Sequence, residues 1–289
     1  MKNLSYLFLV TAIMLMAMKS DKEAYRIYDQ KGKNTSYEKL LKKATESDII
    51  LFGEIHTNPI CHWLQYELTK DLYDEIGNRL VLGAEMFEKD QQIILTEYVD
   101  SLISESNFKE QARLWPNYKT DYKPLVDFAR DNKLPFIATN IPRRYASMVF
   151  KGGFEALEQL GDDAKAFIAP LPIPYDPDLP GYKSMLDMGG SMAGHSSDNL
   201  PKAQAVKDAT MAYTILGNYD DGKVFLHYHG SFHSENFEGI VWYLNHYKPG
   251  LKILTIASAE QDTTDKLKED NEGLADFIIV VPSSMTKTH

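Results

Sequence analysis

The sequence predicts an α/β fold: a mostly parallel central sheet flanked by helices, with an added smaller helical lobe. Three observations predict it. Six short, nearly continuous apolar runs suit strands buried on both faces. Segments of helical periodicity fill the gaps between most of them, as βαβ units require. The 289 residues are 44% apolar and 25% charged, ordinary globular composition with enough chain to bury a large core.

Taken in order, the first strand is expected over Asp48–Glu54 and ends in glycine and a charge. A helix follows over His62–Ile76, with Trp63, Tyr66, Leu68, Leu72 and Tyr73 at helical spacing. The second strand, Arg79–Glu85, repeats the plan of the first. Helices over Gln91–Ile103 and Tyr122–Asn132 precede a third strand, Leu134–Asn140. The segment 170–200 then breaks the pattern. It holds Pro170, Pro172, Pro174, Pro177 and Pro180, then Gly189, Gly190 and Gly194. Proline at this density prevents helix interiors and sheet ladders, so an irregular connection is expected, or the link into a helical lobe at about 145–217. A helix over Pro201–Leu216, a strand over Lys223–Gly230, a helix over Glu235–Tyr247 and strands over Leu251–Ala257 and Asp276–Val281 complete the set.

Residues 1–20 stand apart. Lys2 precedes an apolar run from Leu4 to Met18 broken only by Ser5 and Thr11, and Lys19, Ser20, Asp21 and Lys22 follow. This is the plan of a signal peptide or N-terminal anchor, and the run falls short of the roughly 20 residues of a membrane span. Residues 21–289 are therefore expected to be a single exported domain of the periplasm or cell envelope, touching membrane only through that segment. The segment holds no cysteine to carry a lipid. The formal charge of −10 disfavours nucleic acid as a partner, because an acidic surface repels phosphate. The lone cysteine, Cys61, excludes an intramolecular disulfide and a multi-cysteine zinc or iron–sulfur centre.

Ligands of open parallel sheets sit outside the carboxyl ends of the strands, and the polar residues collect there. The first strand ends in Gly53, Glu54, Ile55 and His56, and the fourth in His229, Gly230, Ser231, Phe232 and His233. Both share the spacing Gly-x-x-His. Glycine at a strand exit is expected to permit a sharp turn at unusual φ, so that the histidine swings back over the sheet edge. A single such motif arises by chance; the joint pattern carries the argument. With Glu54 and Glu85, the histidines His56 and His233 make a His/His/carboxylate set suited to Zn, Mn or Fe(II). Such a metal supports hydrolysis by lowering the pKa of its water to roughly 7, and the same groups act without metal as general bases. Asn140, Arg143 and Arg144 close the third strand, where an arginine offers planar donors to an anion. His195 lies in the Gly/Ser-rich loop, and Gln204 and Asp208 share one helix face. His62, His246 and His289 read as helix-face or tail residues. Aromatic clusters at Trp115, Tyr118 and Tyr122, and at Tyr175 and Tyr182, suit a flat hydrophobic ligand, and a tyrosinate is one of the axial ligands haem accepts.

Five ordered blocks, LFGEIHTN at 51–58, GAEMF at 83–87, ATNIPR at 138–143, AQAVKDATMA at 203–212, and GSFH at 230–233 followed by Gly239 and Ile240, resemble the ChaN-like haem-binding family. The resemblance runs from about residue 35 to 260. It implies an exported protein of haem uptake, often an iron-regulated lipoprotein, with an α/β body and an added helical lobe. It also implies haem held between two protomers of a homodimer through tyrosine. Tyr175, Tyr182, Tyr118 and Tyr122 are the candidates, with His195 and Arg143 as further cofactor contacts. The paired Gly-x-x-His turns are similar to a wider group that includes the Tiki proteases and erythromycin esterases. There, equivalents of Glu54, His56, Glu85 and His233 do hydrolytic work, so the alternative expectation is a metal-dependent hydrolase of peptide, ester or lactone bonds.

Overall fold

The computed structural model describes residues 22–191 and 198–289. The expected signal segment 1–20 and His195 therefore lie outside the described residues.

Seven strands form one sheet: β1 Arg26–Asp29, β2 Ile49–Glu54, β3 Leu80–Glu88, β4 Phe136–Asn140, β5 Val224–Gly230, β6 Ile253–Gln261 and β7 Phe277–Pro282. Their order is β1-β7-β6-β2-β5-β3-β4. The β1–β7 pair is antiparallel and the others are parallel. All six expected strands are present. The seventh, β1, is a four-residue edge strand, too short to print a period of its own.

The helices are α1 Tyr37–Thr45, α2 Pro59–Ile76, α3 Gln92–Val99, α4 Glu105–Gln111, α5 Lys123–Asn132, α6 Arg143–Gly152, α7 Asp162–Lys165, α8 Pro180–Ser191, α9 Leu200–Gly217 and α10 Ile240–Tyr247. A π turn, Tyr118–Tyr122, leads into α5. Helix α2 starts three residues earlier than its apolar spacing indicates. Asn58 Oδ1 accepts the N–H groups of Ile60 and Cys61, and Pro59 occupies the first helical position, where a missing N–H costs nothing. The irregular chain expected over 170–200 is present at 170–179 and is corrected at 180–191 by α8. Its proline also stands in the first turn, so the helix beyond it keeps its ladder.

Successive strand residues point to opposite faces, and both faces are covered. Ile50, Phe52, Leu82, Leu226 and Tyr228 pack with Leu64, Leu68, Leu72, Leu95 and Leu125 on one side. Ile49, Leu51, Val81 and Phe225 pack with Val149, Val206, Ala209, Ile215 and Leu244 on the other. Residues 143–217 contribute to that second core together with the sheet itself. Two covered faces explain why β2 reads as an unbroken apolar run.

Candidate functional site

Strands β2 and β5 are parallel neighbours, with Gly53 opposite His229 and Glu54 opposite Gly230. The two Gly-x-x-His turns therefore leave the sheet side by side. Neither glycine has positive φ; Gly230 sits at φ −63°, ψ 137°. The expectation of unusual φ is corrected: what these positions need is absence of a side chain. A Cβ on Gly53 would lie 2.7 Å from Ser231 Cα and 3.0 Å from Ile256 O. A Cβ on Gly230 would lie 2.7 Å from His56 Nε2 and 3.7 Å from Glu85 Oε2. Each glycine makes room for the other motif, so the two turns interlock.

In the first turn, His56 Nδ1 meets Glu54 Oε1 at 2.9 Å. Glu54 is buried and accepts two further bonds, from Tyr122 Oη at 2.7 Å and from Gln65 Nε2 at 2.6 Å. The His56 side chain keeps 41% of its surface in solvent, with Trp115 edge-on at 5.0 Å. Burial pulls the imidazole pKa down. The Glu54 hydrogen bond and the charges of Glu85 and Glu54 together outweigh it, and the net shift is upward. The His56 carbonyl accepts from Asn117 Nδ2 at 2.8 Å and from His62 Nε2 at 3.0 Å.

In the second turn, His233 is buried between two carboxylates. Its Nε2 is 3.1 Å from Glu85 Oε1, and its Nδ1 bonds to Asp208 Oδ1. Glu85 Oε2 accepts the Gly230 N–H at 2.8 Å, and Asp208 Oδ2 accepts Tyr182 Oη at 2.8 Å. The amide of Gln204 lies 2.9 Å from His233 Nδ1. Burial pulls His233 down, but the charges and hydrogen bonds of Glu85 and Asp208 push it up to about 10. Burial pushes Glu85 up, but His233, His56 and the Gly230 N–H hold it well below the usual carboxylate range. Behind this turn His227 and His229 form a buried pair, Nδ1 to Nδ1 at 3.1 Å. Thr139 Oγ1 bonds to the far side of His227 at 2.7 Å, and Ser234 Oγ to the far side of His229 at 2.8 Å. Burial holds both imidazoles down, His229 to about 3.

The structure thus brings Glu54, His56, Glu85 and His233 to one rim. Among the described residues, no three His, Cys, Asp or Glu side chains are disposed as a ready metal cage. Glu54 is turned toward Tyr122 and Gln65, and Glu85 toward His233 and a backbone N–H.

Of the four candidate tyrosines, Tyr118, Tyr122 and Tyr182 are buried and Tyr175 is half-buried. Tyr182 is 3% exposed with its hydroxyl on Asp208, and Tyr118 is 4% exposed in the core with no hydrogen-bond partner for its hydroxyl. Tyr122 is held by Glu54, and half-buried Tyr175 stacks on Tyr182 at 5.7 Å. Arg143 is exposed on the first turn of α6, whereas Arg144 is paired with Asp90 and lies over the Tyr145 ring. A hollow of about 320 Å³ beside the rim is lined by Tyr182, Asp208, Phe232, Glu235 and Glu238, among others. A larger one, about 710 Å³, opens at the opposite end of the sheet beside Lys43, Lys252 and Asp276 and holds none of these groups.

Sequence reasoning passed over His62, Gln65, Asn117 and Asp121. A signal for two of them existed: His62, Gln65 and Thr69 recur at i, i+3 and i+7 on the inward face of α2, a polar stripe where apolar residues are the rule.

The family described as haem-binding uptake, Tiki superfamily, ChaN matches residues 40–244. The chain belongs to that family. Among solved structures, this ChaN-family chain is similar to the ChaN of Campylobacter jejuni, described for its cofacial haem binding. The TM-score is 0.68 at 18% identity, covering 90% of this chain and 97% of that one. It is also similar to a Bacillus cereus protein, with a TM-score of 0.51 at 12% identity over 85% of this chain and 90% of that one. Likeness at these identities shows the fold. Among curated proteins, the chloroplastic RETICULATA-RELATED 5 of Arabidopsis thaliana is 26% identical over 204 residues, 66% of this chain. The chain spans about 27% of that protein's length. Among the described residues, no helix is long and apolar enough to cross a membrane.

Proposed function

We propose that this chain is an exported haem-binding protein of iron acquisition, acting in the periplasm or cell envelope, and that it takes haem at the interlocked rim with His56 facing the iron. One observation carries the reading. His56 engages a buried carboxylate through Nδ1, which leaves Nε2 of the neutral ring with a lone pair to offer, and 41% of the side chain's surface is in solvent. An imidazole whose second nitrogen is held by a carboxylate is the usual form of a metal-ligating histidine. The donor set present therefore fits haem. When bound, the haem supplies the iron. The chain's own groups do the rest: Glu54, held by Tyr122 and Gln65, fixes the ring and its tautomer, Trp115 flanks it, and Arg143 offers charge to a carboxylate at the rim. The Campylobacter jejuni relative binds haem cofacially, and two haems face to face suit a homodimer.

Titrating purified protein with haemin should give a saturable Soret shift that a His56→Ala variant loses and a Tyr175→Phe, Tyr182→Phe double variant keeps. Loss in the double variant with retention in His56→Ala overturns the assignment of His56. Unchanged spectra on adding haemin overturn the haem reading.

A hydrolase of peptide, ester or lactone bonds is the second reading. It is favoured by the buried line of Tyr182, Asp208, His233 and Glu85 beside His56, an acid–base arrangement that a binding site does not need. The divalent-metal form of this reading uses His56, His233, Glu54 and Glu85. Elemental analysis of protein purified without chelator, with ester hydrolysis assayed in parallel, separates the two readings. No metal and no turnover above a His56→Ala control removes the hydrolase.

A further inference from the structure

The chain beyond β7 returns to the rim. Met285 N–H donates to Pro282 O at 2.9 Å, and Lys287 pairs with Glu260 on β6. Thr288 then reaches the loop between β2 and α2. Its N–H donates to Thr57 O at 2.9 Å, and its hydroxyl donates to Asp121 Oδ2 at 2.6 Å. The same Asp121 oxygen accepts Asn117 Nδ2 at 2.7 Å and lies 3.3 Å from His62 Nε2. Asn117 and His62 are the two groups that hold the His56 carbonyl. Three stretches far apart in sequence, the π turn, the start of α2 and residues 287–289, thus meet on the carbonyls of His56 and Thr57.

Those carbonyls have no sheet partner, because β2 ends at Glu54 and α2 begins at Pro59. Their direction is set by these contacts, since an unladdered loop otherwise samples several conformations. The ring that the loop carries lies over Gly230, in the room that the missing Cβ leaves. We infer that residues 287–289 form a strap, and that Thr288 and Asp121 are positioning residues that set how His56 stands over Gly230. The inference rests on the reading of His56 as the ligand-facing group, so its test is made without haem.

The rate at which diethyl pyrocarbonate modifies His56 is measured by peptide mass in the haem-free protein, with exposed His246 as the internal reference. Thr288→Val removes the hydroxyl donor and leaves the shape and the backbone bond. Removal of residues 286–289 takes away the whole strap, and Thr288→Ser keeps the donor. The truncated chain should react about fivefold faster at His56, the change in opening that loss of roughly one hydrogen bond releases. Thr288→Val should be faster than wild type, Thr288→Ser unchanged, and His246 unchanged throughout. Unaltered His56 reactivity in both Thr288→Val and the truncated chain overturns the inference. A chain that binds no haemin and still shows the acceleration keeps the strap while the haem reading falls.

Discussion

Replacing Gly230 by alanine separates the stability of the rim from its chemistry. The backbone there, at φ −63° and ψ 137°, accepts alanine, and removing glycine from the unfolded chain stabilises the fold by about 0.4–1 kcal/mol. The new methyl lands 2.7 Å from His56 Nε2 and 2.8 Å from Cε1, so the imidazole must retreat by somewhat under an ångström. That weakens its bond to Glu54. A buried charge-assisted bond is worth about 1.5–3 kcal/mol, discounted here because the ring is partly in water. The net cost is about 1 kcal/mol, or roughly 2–4 °C in Tm for a chain of this size. Gly53→Ala makes the contrast. Its methyl meets backbone, Ser231 Cα at 2.7 Å and Ile256 O at 3.0 Å, which cannot retreat, and the cost reaches about 3 kcal/mol or more. Thermal unfolding and haemin titration read the two effects. Gly230→Ala should melt within a few degrees of wild type yet bind haemin at least tenfold more weakly, a change of about 1.4 kcal/mol. Gly53→Ala should melt roughly 6–12 °C below wild type. Wild-type haemin affinity in Gly230→Ala, or equal melting losses in both, refutes the interlocked-turn argument.

Two further outcomes follow from the buried network. His233→Gln leaves Glu85 and Asp208 without their shared cation and should cost about 3–5 kcal/mol in urea unfolding, against about 1–3 kcal/mol for Tyr182→Phe, which strands only one Asp208 oxygen. Equal losses would show that His233 is not the charge that balances the carboxylates. Stability should also peak near the ordinary histidine pKa of about 6.5. Below it the unfolded chain takes protons that His227 and His229 refuse in the fold, and Glu85 adds to the acid loss below its own ordinary range. Above it, folded His233 and His56 keep protons that the unfolded chain has released, His233 up to about 10, so their contribution fades as pH rises. Buried Asp208, whose pKa burial also raises, pulls the same way from its own ordinary range upward. Unfolding free energies measured in denaturant across that range should fall on both sides; a monotonic or flat profile contradicts the assigned protonation states.

The strands were legible because burial on both faces removes the need for alternation, and β2, with every residue buried, is an extreme case. β1 was not, since four residues on an antiparallel edge carry too little pattern. The rim was legible at Glu54, His56, Glu85 and His233 because parallel strands share a direction and so collect their exit residues at one edge. The reason for the glycines was not: a requirement for positive φ and a requirement for empty space leave the same letter in the sequence. His62 was set aside because a helix pattern shows which residues share a face, but not that this face lies under the exit of β2. The burial of the tyrosines was not legible for a related reason. Composition records seventeen of them without saying that Tyr182 and Tyr118 turn their hydroxyls inward.

The proposal that His56 faces the iron of bound haem stands or falls on one spectrum. The direct measurement is the optical spectrum of a His56→Gly variant with haemin, taken with and without free imidazole. The wild-type Soret band should vanish in the variant and return when imidazole fills the space the side chain has left. A variant that reproduces the wild-type spectrum with no imidazole present shows that another group faces the iron.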